Sequence, residues 1–294
     1  MESTSPEGGR VWLRRAVWFL FGPTDAGRLE LFRTLFAVTL LCYVAFRWQF
    51  AAEWLTAAGY HPSAAALGGF QQPVPLLPAG ALPYFGAAYF AAIVALIAGI
   101  RPRVTIWLVL AGTIYVTAAD RLAAFTINKI FIGGLLILAL APAITTGPDG
   151  RPRIGSAWPL RALQFTLIVQ LFGAGVCKAR FGDWLTHGDT LWHQMQLNYM
   201  TDAAAWMVRM LPMPAWTAMQ YAALVFELAA PILFMVRRLR PIGYVLGLGL
   251  FALISLTMRE LIFFDLQMCS LFVLFVDEDR LWRLRRRWAA RLAG

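Results

Sequence analysis

WPLRALQFTLIVQLFGAGVCK, residues 158–178, is a stretch of twenty-one residues in which only Arg161 and Lys178 carry charge. A helix of that length is about 31 Å long, matching the roughly 30 Å hydrocarbon core of a bilayer. Seven more stretches share its character, near 29–47, 82–100, 104–120, 127–142, 215–236, 241–258 and 260–276. The pattern predicts an all-α polytopic membrane bundle of about eight transmembrane helices, forming a single domain over residues 1–294.

Composition agrees. Hydrophobic residues make up 60% and charged residues 14%, against roughly 45–50% and about 25% in soluble domains. The net charge of +10 is scattered between apolar stretches, as charges that orient helices would be, so a nucleic-acid partner is not expected. Cys42, Cys177 and Cys269 form no CxxC pair, and the histidines lack metal spacing, so neither a disulfide framework nor a metal site is predicted.

Alternate loops carry 18 and 6 Lys plus Arg, which places both termini in the cytoplasm, in what is expected to be a bacterial inner membrane. Residues 1–28 lack the form of a cleaved signal peptide. Within them Val11 to Phe21, with Trp12 and Trp18 beside Arg14 and Arg15, reads as an interfacial helix ending at Gly22-Pro23. The basic tail over 277–294, with six arginines from Arg280 to Arg291, is expected to meet anionic membrane lipids in the cytoplasm. Gly147-Pro148-Asp149-Gly150 reads as an ordinary cytoplasmic turn. The outer segments 48–81 and 179–214 are long, and long ordered loops usually have a task.

Two lysines stand against 24 arginines, so Lys178 is notable. A lysine that merely anchors a helix end could as well be arginine, whereas a neutral amine can act as a base and a guanidinium cannot. Both roles remain open for Lys178. On its helical face lie Gly175 with Ala174, then Leu171 and Gln164, the small residues leaving room beside the amine. Glu227 lies mid-span, and Pro231 removes the donor that would bond its carbonyl. Its expected partner is Arg33, with Glu30 competing, as a structural ion pair; a protonated or catalytic carboxyl is the alternative. His187, Asp189 and His193, with Asp183, lie shortly after Lys178 and suit proton relay or polar lining, or else an ordinary solvated loop. Gly243 and Gly247 form a GxxxG that suits close helix packing. Asn128 and Lys129 open the fourth span, where Lys129 is an interface anchor or a partner for Asp120 or Asp265.

The run Leu160 to Lys178, then Asp183-Trp184, Gly188, and Glu227 to Pro231 resembles the HTTM family, the membrane domain related to vitamin K-dependent gamma-carboxylase. The resemblance covers most of the chain, including Arg33 and the Gly59-Tyr60-His61-Pro62 loop, and the same stretch is similar to lipase maturation factor. It implies that Lys178 matches the base that deprotonates reduced vitamin K. It further implies a cavity lined by Gly175, Trp184 and Gln164 for menaquinol or another membrane quinol, and a carboxylase-like or oxidoreductase activity. A histidine found late in the bundle of relatives has no counterpart around Phe251 and Ala252. Three functions are expected in turn. The first is a quinol-dependent enzyme with Lys178 as base at a non-cytoplasmic-facing cavity covered by Trp184 to His193. The second is a maturation factor whose outer loops hold a secreted peptide or protein client. The third is a transporter, for which the sequence shows no clear inverted repeat or paired broken helices.

Overall fold

The computed structural model describes residues 6–61, 74–119, 125–145 and 153–283. The Gly147–Gly150 turn, Asp120 and the tail beyond residue 283 lie outside the described residues. The chain divides into two compact units, Met1–Leu163 with Val276–Gly294, and Gln164–Phe275.

The first unit holds α1 (Pro6–Phe21), β1 (Pro23–Asp25), α2 (Gly27–Trp48), α3 (Ala51–Leu55), α4 (Leu82–Ile97), α5 (Pro102–Ala119), α6 (Thr126–Leu140), β2 (Ile154–Ser156) and the start of α7 (Trp158–Phe181). Packing runs α2 on α4, α4 on α5, α5 on α6 and α6 back on α2, around the fully buried Phe32, Phe36, Ile93, Leu96, Ile106 and Phe131. Glycine makes two of these contacts possible: a Cβ at Gly134 would fall 2.7 Å from the Phe36 ring, and one at Gly112 would fall 2.5 Å from the Tyr89 ring. Small residues of this kind let membrane helices approach closely.

Arg33, buried in α2, donates to the carbonyl of Leu96. α4 ends there, with Gly99 in the left-handed region at φ +72°, so the guanidinium meets the carbonyl-rich, negative end of a helix dipole. At the start of α2, Asp25 accepts the Gly27 N–H at 2.6 Å and the Trp282 Nε1–H at 2.8 Å. Arg28 donates to Glu278. The segment after the last apolar helix is thereby tied to the start of α2.

The second unit contains the rest of α7, then α8 (Thr190–Gln194), α9 (Asp202–Met210), α10 (Met213–Met235), α11 (Arg240–Thr257) and α12 (Ile262–Phe272), which runs into a 3-10 turn at Val273–Phe275. α11 packs on both α10 and α12, joined by Phe226, Phe234, Phe251, Phe272 and Phe275. The GxxxG glycines serve this packing. A Cβ at Gly247 would meet the Phe272 ring at 2.6 Å, and one at Gly243 the Leu233 Cβ at 3.3 Å.

Among the described residues, six helices are long and apolar enough to cross a membrane, Gly27–Trp48, Ala79–Ile97, Pro102–Ala119, Trp158–Phe181, Met213–Met235 and Arg240–Thr257. The other two expected spans are shorter, Thr126–Leu140 and Ile262–Phe275, each about 21–23 Å long. Ala141 is extended ahead of Pro142 and stops the first. Met258 is extended and bridges to Met200, and Glu260 takes φ +65°, so the second starts only at Ile262.

Candidate functional site

The site lies wholly in the second unit and begins with a glycine. A Cβ at Gly175 would fall 3.0 Å from the Glu227 Cβ and 3.1 Å from the Leu228 backbone nitrogen. The missing side chain lets α7 and α10 meet backbone to backbone, and one turn later the Lys178 ammonium donates to Glu227 Oε1. The carboxylate side chain is 6% exposed and the lysine side chain 29%, so the amine can be approached while its partner is enclosed. Lys178 Nζ also stands 4.6 Å from the centre of the Trp184 ring, a cation–π contact. Glu227 Oε2 is buried and has no hydrogen-bond partner among the described residues.

Beyond Lys178 the chain folds back as a cover. Gly182 donates its N–H to the Lys178 carbonyl, Asp183 turns the chain at φ +57°, and the Asp183 carbonyl accepts from His187 N–H at 3.0 Å and from Thr190 Oγ1 at 3.3 Å. The cover is fastened to α10 by one side chain. Gln220, fully buried, donates to the carbonyls of Trp184 at 2.9 Å and His187 at 2.7 Å, and accepts the Leu191 N–H at 2.9 Å. Thr217 donates to the Gly188 carbonyl at 2.8 Å. Beneath lies an apolar cluster of Trp184, Leu191, Met195, Trp216 and Leu224. Buried polar groups satisfied this completely fix one geometry, and here the geometry fixed is that of Trp184 over the amine.

The HTTM domain family matches residues 21–282, nearly the whole chain and every residue of this site. The chain belongs to the HTTM family. It is an integral membrane protein. Neither a curated protein nor a solved structure matches it.

In this HTTM protein the expected site residues separate into three groups. Lys178, Gly175, Trp184 and Glu227 come together. Glu227 takes Lys178 where Arg33 was expected, because the glycine contact sets the carboxylate beside the amine, while Arg33 is engaged at the end of α4. His187, Asp189 and His193 sit on the surface of the cover: His187 Nδ1 is 3.0 Å from Thr186 Oγ1, and His193 Nε2 is 3.3 Å from Asp189 Oδ2, with side chains 64% and 43% exposed. Gln164 is separate, fourteen residues before Lys178, about 21 Å along the helix, donating to the Leu274 carbonyl at 2.7 Å. Elsewhere Asn128 accepts from Tyr43 at 2.9 Å, and Asp265 accepts from Ser255 at 2.6 Å.

Gln220 escaped sequence reasoning, yet a signal existed. Trp216, Gln220, Leu224 and Glu227 fall at i, i+4, i+8 and i+11 along α10, one face of a helix. A glutamine seven residues before a buried glutamate, on the same stripe of an apolar span, marks a polar line along that helix.

Breaking the ion pair from its buried side should be costly. Glu227→Leu leaves the ammonium without its counter-charge, and losing one partner of a buried pair costs about 3–5 kcal/mol. Glu227→Gln keeps the shape and an acceptor oxygen, so its melting temperature in detergent should lie between those of wild type and Glu227→Leu. Equal melting of all three would show that the pair does not contribute to stability.

Proposed function

We propose that this HTTM protein is a membrane enzyme that acts on a quinol such as menaquinol, with Lys178 as the base. The observation that carries this reading is the partly exposed amine held between a buried carboxylate and the Trp184 ring. A quinol, when bound, supplies acidic hydroxyls and reducing electrons. The unpartnered Glu227 Oε2 suits a hydroxyl donor, and the lysine amine suits the oxygen that loses its proton. The pair can hold its shared proton on Glu227 without changing net charge, which leaves Lys178 Nζ neutral. Nζ then takes the hydroxyl proton, one N–H bond forming as one O–H bond breaks. Trp184 flanks the amine on one side and leaves it open to a ligand on another, and His187, Asp189 and His193 stand on the cover's surface, where protons would leave. A photoreactive naphthoquinone should label the 184–195 segment or α10 around Glu227 in the full chain held in nanodiscs. Labelling spread evenly over the membrane helices would contradict the reading.

The proposal sets the cover on the non-cytoplasmic side of a bacterial inner membrane, both termini being cytoplasmic, as the 18 to 6 charge bias favours. With an impermeant maleimide on intact cells, Thr186→Cys should react directly and Arg238→Cys only after permeabilisation. The reverse pattern would overturn the orientation.

A second reading, a maturation factor for a secreted protein, draws on Leu197, Trp206 and Met210, which are 62%, 54% and 64% exposed on the segment around α9. Such side chains suit an apolar client. Under this reading Lys178 is structural, and arginine in its place should leave function intact.

A further inference from the structure

α1 is exposed on every side: each residue from Val11 to Phe21 is solvent-accessible, with Trp12 at 74%, Trp18 at 69%, Leu13 at 66% and Phe21 at 58%. It is nonetheless firmly placed. Its last carbonyls are occupied, Phe19 by Arg161 Nε at 3.2 Å, Phe21 by Ser156 Oγ at 3.2 Å, and Gly22 by the Ala157 N–H at 2.9 Å. β1 pairs with β2 directly beyond it. α1 is therefore pinned between the starts of α2 and α7, two helices long and apolar enough to span the membrane. A helix fastened there, apolar at most positions from Val11 to Phe21, suits the headgroup layer.

One face of it forms a groove lined by Leu13, Arg14, Val17, Trp18, Phe21 and the Gly22-Pro23 turn. Successive turns bring Arg14, Val17, Trp18 and Phe21 to that same face. Residues Gly8 to Phe21 include three arginines and no acid. Gly22 lets α1 end beside it, since a Cβ there would fall 2.4 Å from the Trp18 carbonyl oxygen, which accepts the Gly22 N–H at 2.8 Å. The groove is shallow and open, and a guanidinium beside exposed aromatic and aliphatic side chains matches an anionic group that carries an acyl chain.

We propose that this groove binds an anionic phospholipid from the leaflet at which α2 and α7 begin. The Arg14 guanidinium takes the phosphate, and Val17, Trp18 and Phe21 take the upper acyl chain. The general attraction of a basic segment to a charged surface would treat Arg14 and Arg15 alike; the groove does not, because only Arg14 lines it.

The test uses the full chain in nanodiscs that contain either phosphatidylglycerol or phosphatidylcholine with a photoreactive acyl chain, and adducts are mapped by peptide mass spectrometry. Phosphatidylglycerol should label Leu13–Pro23 several-fold more than phosphatidylcholine does. Arg14→Gln should lower that labelling about tenfold or more, the scale of losing a hydrogen bond between charged groups. Arg15→Gln should lower it by no more than about fivefold, the general effect of one basic residue near an anionic surface. Both residues are exposed, so the fold is retained, which a wild-type melting profile will show. Equal labelling by the two lipids, or equal losses in the two variants, would overturn the site.

Discussion

Gln220→Leu should be among the most destabilising single changes in the second unit. It removes three hydrogen bonds at once and leaves the buried Trp184 carbonyl and Leu191 N–H facing an apolar side chain, while the His187 carbonyl keeps Thr190 Oγ1 at 3.2 Å. Each buried polar group left unsatisfied costs about 1–3 kcal/mol, so the loss should be on the order of 3 kcal/mol or more. The effect should be local first: limited proteolysis should cut within residues 184–195 at temperatures where the wild-type chain is intact, because the fastening of that segment to α10 is what has gone. Function should fall with it, since Trp184 no longer holds its place over Lys178. A Gln220→Leu protein that melts with the wild type and resists cleavage there would show that the apolar cluster of Trp184, Leu191, Met195, Trp216 and Leu224 holds the cover unaided.

Helices were legible in the sequence because hydropathy measures what a bilayer demands: about twenty apolar residues with every backbone group paired internally. The six long spans obey that rule. The two that fall short are governed by local backbone chemistry that an apolar count does not see, Pro142 at one and the Met200–Met258 bridge at the other. The helix ending at Phe21 was readable too, and its end at Gly22-Pro23 was set by those residues' own preferences. The short β1–β2 pair left no trace, since three residues are too few to show a period.

The candidate site was half legible. Lys178 stood out by its rarity among arginines, and Gly175 by its place one turn behind. Glu227 was plain as a charge in mid-span, but which cation it meets is decided in three dimensions. Arg33 and Lys178 are equally good partners by residue type alone. The choice rests on a glycine that brings α7 onto α10 and on a helix end that occupies Arg33. The histidines drew notice as a residue type suited to proton relay, whereas the side chain that organises their segment, Gln220, is a neutral amide.

Lys178 carries the other large effect. Lys178→Ala strands Glu227 in the membrane and should both lower stability, by about 3–5 kcal/mol, and abolish function, so it cannot separate the two roles. Lys178→Arg can. The guanidinium keeps the charge, can engage both oxygens of Glu227, and can stack on Trp184, so the variant should insert and melt as the wild type does. It lacks a neutral form in the working pH range. General-base catalysis contributes typically about 10²–10⁴-fold, and that is the scale of loss expected. The deciding measurement is the rate of quinol consumption by wild type and Lys178→Arg in proteoliposomes, at matched protein content and matched melting temperature. With Lys178 as the base, the variant should be at least about a hundredfold slower; a Lys178→Arg protein as active as the wild type would contradict that role and leave Lys178 as a structural cation.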